Sequence, residues 1–299
     1  MLTHIAYSRI REPQEVLAFA TEIRRLALSM IYHAGSGHPG GCLSSAELMA
    51  YLWGIELQEG NWKIDDPYDE DRHRFILSKG HSCPALYAAA AIVGLLPHSA
   101  LPGFRKMGSV LQGHPDVLST PWVHASTGSL GQGFSAAIGM ALGLKYKKGS
   151  ARIYVMLGDG ELQEGMVWEG AMSAGHYHLD NLCAIVDYNK MQSDDLNRHI
   201  MGLEPLRDKW SAFHWHVKEI DGHDPVAIGE AFQWAKHLHG KPSVIIAHTI
   251  KGKGVSFMEG IPAWHGSVKI QEEEMMQALG DLETPVEDIS RYIEGQVHG

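Results

Sequence analysis

The sequence predicts an α/β protein in which helices cover both faces of a parallel sheet. Apolar stretches of seven or eight residues recur in the second half of the chain, and stretches with helical periodicity separate them. Most of these apolar stretches lack a polar face, which is typical of strands buried on both sides of a sheet. Strands that alternate with helices form parallel sheets, and such sheets bind ligands at the carboxyl ends of their strands.

The first 130 residues contain three predicted helices and one predicted strand. Residues 14–33 carry apolar side chains at helical spacing. A second helix is expected to begin after Ser44 or Ser45, which are both favourable N-cap residues. The short apolar stretch 74–78 predicts a strand, and the alanine-rich stretch 85–96 predicts a buried helix.

The second half of the chain alternates strands and helices. A helix is predicted over 131–149, and its lysine-rich end suits the negative pole of the helix dipole. The other predicted elements are strands at 151–157, 181–188, 214–220 and 242–249, and helices at 163–178 and 224–239. No repeat or linker divides the chain, so we expect residues 1–299 to form one domain, with the acidic and polar tail 281–299 loosely held.

Composition and charge narrow the possible classes of function. The chain has 299 residues, of which 44% are hydrophobic, and this is enough to bury a large core. Its formal net charge of −10 argues against nucleic-acid binding, which requires a basic face. No apolar run approaches ~20 residues and no leader peptide opens the chain, so we expect a cytoplasmic protein without membrane association. The three cysteines form no metal or redox motif and are expected to be buried free thiols.

Two polar residues follow successive predicted strands and indicate a metal site. Asp159 lies between Gly158 and Gly160 directly after one strand, and Asn189 ends the next. If these strands are neighbours, both side chains enter the same crevice. Carboxylate and amide oxygens suit Mg²⁺ or Ca²⁺, and Mg²⁺ is the better fit beside a phosphate. Each residue alone is more readily explained as a helix cap or a turn, but together with the two glycines they favour a site for a metal and an anion.

Five motifs resemble those of the transketolase family and occur in its order. They are HAGSGHPGG, LSKGHSCPALY, STGSLGQGFSAAIGMA, GDGELQEGMVWEGAMSAGHYHLDNLCAIVDYN and FMEGIPAWHG. The resemblance extends over about residues 20 to 270, and the chain is most similar to the amino-terminal subunit of a split transketolase. It implies the thiamine-diphosphate-binding fold, with a diphosphate-binding domain. It also implies transfer of a two-carbon ketol unit from a ketose phosphate to an aldose, through the carbanion of the cofactor.

The resemblance implies that the cofactor is thiamine diphosphate, held through a divalent cation. Asp159, Asn189 and the backbone carbonyl of Met191 are then the expected ligands of Mg²⁺, or of Ca²⁺ in its place. Gly160 is expected to offer its N–H group to the diphosphate. The other residues expected at the cofactor are Gly158 and Ser129; Gly128 and Leu130, whose backbone groups would meet the aminopyrimidine ring; and Glu164, near the cofactor and a subunit contact.

Four histidines match active-site histidines of the family, namely His38, His81, His114 and His265. Ketol transfer moves protons between hydroxyl and carbonyl groups near neutral pH, and imidazole is suited to this task. The resemblance implies that His38 and His265 handle these protons. It further implies that His81 and His265 contact the diphosphate and that His114 holds the C1 hydroxyl of the ketol.

Three features lie outside this assignment. Glu161 is interpreted as a solvated or capping residue in the first turn of the helix after Asp159. The KGKG stretch at 251–254 could hold a phosphate, but a mobile solvated loop is the preferred interpretation. Ser193 stands where the family tends to place an apolar residue beside the rings of the cofactor, so a specialised sugar substrate remains open.

The family also requires a second set of domains that this sequence lacks. A glutamate from a pyrimidine-binding domain protonates the cofactor ring in the family, and the residues after 270 are too few to form such a domain. The resemblance therefore implies a partner chain that carries the pyrimidine-binding and carboxy-terminal domains. It implies an α2β2 assembly that acts on sugar phosphates, and no activity of this chain alone.

Three alternatives stand beside this interpretation. The α subunit of a 2-oxo acid dehydrogenase shares the GDG sequence and the asparagine, but not the HPGG, GHS and AWHG motifs as a set. A non-catalytic regulatory half has no physical need to retain Asp159, Asn189 and four histidines. A dinucleotide-binding oxidoreductase is suggested by the alternating architecture alone, because the G-x-G-x-x-G motif is missing after the first strand.

Overall fold

The computed structural model describes residues 12–59, 66, 69, 71–192, 195–264 and 266–296. Its α-helices are α1 (Pro13–Ala34), α2 (Pro39–Ser44), α3 (Ala46–Tyr51), α4 (Leu57–Glu59), α5 (Cys83–Ile92), α6 (Gln132–Tyr146), α7 (Gly165–His176), α8 (Asn197–Ile200), α9 (Leu206–Ala212), α10 (Pro225–Lys236), α11 (Glu272–Asp281) and α12 (Val286–Glu294). Its strands are β1 (Arg74–Leu77), β2 (Ile153–Gly158), β3 (Leu182–Tyr188), β4 (Met191–Gln192), β5 (Asp195–Leu196), β6 (His216–Asp221) and β7 (Ser243–His248). Within these ranges no helix is both long and apolar enough to cross a membrane.

A parallel sheet of five strands forms the centre of the fold, in the order β1-β2-β3-β7-β6. The short strands β4 and β5 pair separately as an antiparallel hairpin. In the main sheet Gly158 of β2 is level with Asp187 of β3, and Tyr188 of β3 is level with His248 of β7. The carboxyl ends of β2, β3 and β7 therefore meet at one edge of the sheet.

Helices cover both faces of the sheet and enclose two hydrophobic cores, so the predicted fold class is confirmed. Alternate residues of β2 belong to different cores: Tyr154 and Met156 pack with α1, α3, α5 and α10, whereas Val155 and Leu157 pack with α6, α7 and α9. This alternation follows from the period of two residues in a strand, and it explains why the strand sequences have no polar face.

The second helix begins earlier than the sequence predicts. Helix α2 starts at Pro39, whose fixed φ and missing N–H group suit the first helical position. Ser45 lies at the break between α2 and α3, but its side chain caps neither helix, because its Oγ donates to the carbonyl of Gly41 at 2.8 Å. A helix therefore does begin after Ser45, which stands at the N-cap position of α3, but the Ser45 side chain makes no capping hydrogen bond.

The described part of the acidic tail is packed, in contrast to the loose attachment expected for 281–299. Helix α12 lies on α1, where the Oγ of Ser29 donates to the carbonyl of Tyr292 at 2.6 Å. The hydroxyl of Tyr292 donates to the carboxylate of Glu22 at 2.8 Å, and Tyr292 is 3% exposed. Although this segment is polar in composition, α12 has one apolar face, and that face packs against the core.

All three cysteines are free and buried, as predicted. Cys42 lies in α2, Cys83 begins α5 and Cys183 lies in β3. Burial raises the pKa of the Cys42 and Cys183 thiols to about 11, so neither is a thiolate near neutral pH. These residues therefore act as small hydrophobic side chains of the core.

Candidate active site

A cavity of about 140 Å³ lies at the carboxyl ends of β2 and β3. Residues from several segments line it, among them Gly41, Lys79, His81, Leu130, Gly158, Asp159, Gly160, Glu161, Asp187, Asn189, Met191, Gln192 and Lys251. The cavity occupies the place where a parallel α/β sheet is expected to bind its ligand.

Asp159 and Asn189 lie together in this cavity because their strands are neighbours. One carboxylate oxygen of Asp159 accepts the N–H of Gly160 at 2.8 Å, and the other accepts the N–H of Lys190, the residue after Asn189. The side-chain oxygen of Asn189 accepts the N–H of Met191 at 3.2 Å. The structure thus brings the two strand ends into direct contact, as the spacing of the motif requires.

The cavity contains a buried carboxylate and a buried ammonium group. Asp159 is 2% exposed, and burial raises the pKa of its carboxyl to about 7, with Lys251 opposing and Asp187 adding to the shift. Lys251 is 5% exposed, and burial lowers the pKa of its ammonium to about 8 against the attraction of Asp159 and Asp187. The interpretation of KGKG as a solvated loop is therefore wrong for Lys251, which the segment after β7 carries into the cavity wall.

A buried ion pair, between Lys79 and Asp187, also lines the cavity. The Nζ of Lys79 lies 2.6 Å from an oxygen of Asp187, and the same ammonium donates to the carbonyl of Gly41 at 2.8 Å. Asp187 also accepts the hydroxyls of Ser44 and Thr249. Burial acts to raise the pKa of Asp187, but the ammonium and hydroxyl donors outweigh it and hold this pKa below its usual value.

The position of Glu161 contradicts its interpretation as a solvated or capping residue. Glu161 is 2% exposed and lines the cavity. Its carboxylate accepts the hydroxyl of Ser78, the N–H of Gly131 at 2.8 Å and the N–H of Gly158 at 3.0 Å. Burial raises the pKa of this carboxyl, and the three donors oppose the rise.

Three of the four predicted histidines lie at or near the cavity, and His265 lies outside the described residues. His81 lines the cavity, and its ring centroid is 5.3 Å from that of His38. The ring of His114 packs on Gly128, where an added Cβ would lie 3.0 Å from the ring. Burial and the charge of Arg105 lower the pKa of His114, which favours its neutral form.

Residues 17–283 match the transketolase family at its thiamine diphosphate binding domain. The chain belongs to the transketolase family. It is 48% identical over 266 residues to the 6-deoxy-6-sulfo-D-fructose transketolase subunit of a Clostridium species, a match over 88% of this chain and 94% of that protein. It is 37% identical over 273 residues to an apulose-4-phosphate transketolase subunit of Phocaeicola vulgatus, over 91% and 95% of the two chains.

Longer transketolases match this chain along less than half of their length. Rat transketolase is 42% identical over 274 residues, which are 90% of this chain and 43% of that protein. The solved transketolase of Campylobacter jejuni superposes with a TM-score of 0.85 at 29% identity, over 95% of this chain and 47% of that one. These relatives fit the transketolase interpretation rather than the dehydrogenase, regulatory or dinucleotide-binding alternatives.

The residues around the cavity fit the cofactor that the family domain binds. Lys251 supplies a positive charge for a diphosphate, and Asp159 with Asn189 supplies oxygens for a cation. A Cβ added to Gly160 would lie 2.8 Å from the Cβ of Gln192. A side chain at position 160 would collide with Gln192, so glycine is required for this close contact.

The predicted cofactor residues divide between the cavity wall and its surroundings. His81, Leu130, Gly158, Asp159, Gly160, Asn189 and Met191 line the cavity, whereas Gly128, Ser129 and Glu164 do not. Ser129 and Glu164 are exposed. Sequence reasoning missed Lys79 and Asp187 and misread Glu161, although Lys79 follows β1 and Asp187 precedes Asn189 at the same edge of the sheet.

Proposed function

We propose that this chain is the cofactor-binding subunit of a two-chain transketolase, which transfers a two-carbon ketol unit from a ketose phosphate to an aldose. The observation that carries this proposal is the meeting of Asp159 and Asn189 at the ends of adjacent strands, in one cavity with Lys251. Thiamine diphosphate, when bound, supplies the nucleophilic carbon that takes up and releases the ketol unit. The residues of this chain bind the cofactor and manage the protons of the sugar.

The oxygens of Asp159 and Asn189 and the carbonyl of Met191 hold Mg²⁺, or Ca²⁺ in its place. Three oxygen ligands from the protein suit Mg²⁺, because in proteins this ion usually takes the rest of its coordination shell from phosphate oxygens and water. The raised pKa of Asp159 supports the assignment, because a divalent cation stabilises a buried carboxylate in its charged form. Lys251 would bind the diphosphate, whereas the N–H of Gly160, which the resemblance assigned to the diphosphate, donates to the carboxylate of Asp159 in this structure.

The histidines orient the sugar and move its protons. His38 and His265 exchange protons with the hydroxyl of the donor and the carbonyl of the acceptor. His81 contacts the diphosphate, together with His265, and His114 holds the C1 hydroxyl of the ketol. The short separation of the His38 and His81 rings supports placing both at one end of the cavity.

A partner chain that carries the pyrimidine-binding and carboxy-terminal domains completes the site in an α2β2 assembly. Two relatives of similar length are named as transketolase subunits, and this chain spans 43% of rat transketolase. The exposed residues Ser129 and Glu164 flank the cavity and are available to a partner. The cytoplasmic location expected from the sequence stays a prediction.

The two subunit relatives also suggest which sugars to test. One is named for 6-deoxy-6-sulfo-D-fructose and the other for apulose-4-phosphate, so the substrates of such subunits extend beyond unbranched sugar phosphates. Ser193, which suggested a specialised substrate, lies outside the described residues. A panel of ketose donors should therefore include a sulfonated and a branched sugar.

The deciding experiment uses this chain with the protein that co-purifies with it. Thiamine diphosphate should bind to the pair in calorimetry when Mg²⁺ is present, and the pair should transfer ketol units from a donor in the panel. Asp159→Asn should abolish the binding, whereas Asp180→Asn, at a partly exposed position before the amino end of β3, should not. Full turnover by this chain alone would refute the need for a partner, and no binding by the pair would refute the function.

A further inference from the structure

One buried carboxylate connects three loops around the cavity. We propose that Glu161 is a positioning residue for the diphosphate site, and this inference rests on the proposed function. The three loops, which we call the cradle loops, are residues 78–81, 128–131 and 158–160. Glu161 directly follows the last of these loops and accepts one hydrogen bond from each of the three.

Each hydrogen bond fixes a residue next to one that lines the cavity. Ser78 precedes Lys79, and its hydroxyl donates to one oxygen of Glu161. Gly131 follows Leu130, and its N–H donates to the same oxygen at 2.8 Å. Gly158 precedes Asp159, and its N–H donates to the other oxygen at 3.0 Å. Glu161 therefore sets the relative positions of the ammonium group of Lys79, the wall at Leu130 and the carboxylate of Asp159.

Two of the cradle loops lie in direct contact, because a Cβ added to Gly80 would lie 2.8 Å from the backbone nitrogen of Gly128. A Cβ added to Gly133, in the first turn of α6, would lie 2.8 Å from the Cα of Ser78. A Cβ added to Gly131 would lie 2.7 Å from the side chain of Met166, and Gly131 has a φ of 82°. The backbone of α6 can approach the end of β1 because Gly133 has no side chain, and Glu161 holds both sides of that contact through Ser78 and Gly131.

The chemistry of the three donors requires an acceptor-only side chain at position 161. A carboxylate offers acceptor sites on both oxygens, so it can serve all three donors at once. Glutamine has the same size, but one of its two terminal atoms is an NH2 donor. In either orientation this NH2 group would face the buried backbone N–H of Gly131 or of Gly158, so two donors would be in contact. Buried backbone N–H groups without an acceptor are costly, so the loops of a Glu161→Gln variant must move apart.

The test compares Glu161→Gln with Glu230→Gln, a change at an exposed glutamate of α10, in the assembled pair with its partner. We expect Glu161→Gln to raise the Kd for thiamine diphosphate with Mg²⁺ about tenfold or more, with turnover at saturating cofactor within about twofold of the unaltered pair. Hydrogen–deuterium exchange without cofactor should accelerate in all three cradle loops and not in β7. The Glu230→Gln pair should match the unaltered one in every measurement.

Several outcomes would overturn the inference. An unchanged Kd in folded Glu161→Gln, or faster exchange in one loop alone, rules out a positioning role across the three loops. Loss of turnover at saturating cofactor would instead give Glu161 a part in the chemistry. If Glu161→Gln does not fold, Ser78→Ala removes one of the three donors and should raise the Kd about threefold, and no change there refutes the inference. Absence of binding by the unaltered pair refutes the proposed function itself, so the two failures are distinguishable.

Discussion

Lys79 and Asp187 form an ion pair inside the protein, with Nζ and Oδ2 2.6 Å apart and both side chains no more than 1% exposed. The same carboxylate oxygen accepts the side-chain N–H of Asn189 at 3.2 Å. This bond helps to fix the orientation of the Asn189 amide, because its nitrogen donates to Asp187 while its oxygen accepts the N–H of Met191. The ion pair is therefore part of the support of the proposed metal site.

Lys79→Met should destabilise the protein strongly. The change leaves the carboxylate of Asp187 buried without its cation, and removal of one partner of a buried pair costs about 3–5 kcal/mol. Urea unfolding of this chain, followed by circular dichroism, measures the loss in the free energy of unfolding. A decrease of less than about 1 kcal/mol would show that the hydroxyls of Ser44 and Thr249 suffice to hold Asp187.

The pair of Lys145 and Asp180 provides a matched control. Its atoms lie 2.8 Å apart, but its side chains are 38% and 29% exposed. Solvent screens an ion pair of this kind, so Lys145→Met should lower the free energy of unfolding by about 1 kcal/mol or less. The contrast between the two variants isolates the effect of burial from that of distance.

The fold and the meeting of Asp159 and Asn189 at adjacent strand ends were predictable because they depend on local patterns. Apolar stretches without a polar face indicated a parallel sheet, and the spacing of Asp159 and Asn189 indicated adjacent strand ends. In both cases the residues that determine the feature lie within one strand–helix–strand unit, so their spacing in the sequence predicts their positions in the fold.

The roles of Lys79 and Glu161 were not predictable in the same way. Lys79 pairs with a residue 108 positions away, and Glu161 accepts from Ser78, 83 positions away. A charged residue in the first turn after a strand is usually solvated, and only the tertiary contacts reveal that its partners lie in other loops. The same holds for Lys251, which an isolated KGKG sequence does not distinguish from a solvated lysine.

Lys251→Met should weaken the binding of thiamine diphosphate to the assembled pair. A charge-assisted hydrogen bond contributes about 1.5–3 kcal/mol, so the Kd should rise about 10- to 100-fold. Calorimetry at a fixed Mg²⁺ concentration measures this change. Lys253→Met is the control, because Lys253 is 34% exposed and pairs with Glu259 away from the cavity. Equal effects of the two substitutions would contradict the role of Lys251.

His73 should make the stability of the protein depend on pH. Its Nδ1 accepts the N–H of Arg152 at 3.1 Å, and burial lowers its pKa to about 4, with Arg152 adding to the shift. In the unfolded chain a histidine has a pKa of ~6.5. Between that pH and about pH 4, His73 is therefore protonated in the unfolded chain and neutral in the folded protein. The free energy of unfolding should therefore fall with decreasing pH, by up to ~1.4 kcal/mol per unit for one proton.

His73→Asn tests this dependence because asparagine keeps an acceptor for Arg152 and does not titrate. The variant should lose stability less steeply than the unaltered protein when urea unfolding is compared at pH ~7, ~6 and ~5. The change His239→Asn, at an exposed histidine, should leave the slope unaltered. Identical slopes for all three proteins would show that His73 takes up its proton in the folded state.

His223 connects a buried ion pair to the segment that carries Lys251. Its Nε2 accepts the N–H of Ile250 at 2.8 Å, so its Nδ1 carries the proton and donates to Glu47 at 3.1 Å. Glu47 in turn is paired with Arg24 at 2.7 Å, and both side chains are buried. The backbone directly before Lys251 is thereby attached to α1 and α3.

His223→Leu should therefore loosen residues 249–252 without removing any group that contacts the cofactor. We expect the Kd for thiamine diphosphate in the assembled pair to rise about threefold to tenfold, less than for Lys251→Met, because one neutral hydrogen bond contributes about 0.5–1.5 kcal/mol. Hydrogen–deuterium exchange should accelerate at Ile250, where the N–H loses its acceptor. His237→Leu, at an exposed position directly after α10, should change neither measurement. Faster exchange with an unchanged Kd would show that Lys251 keeps its place through the cavity wall alone, since its own contacts would then suffice to hold it.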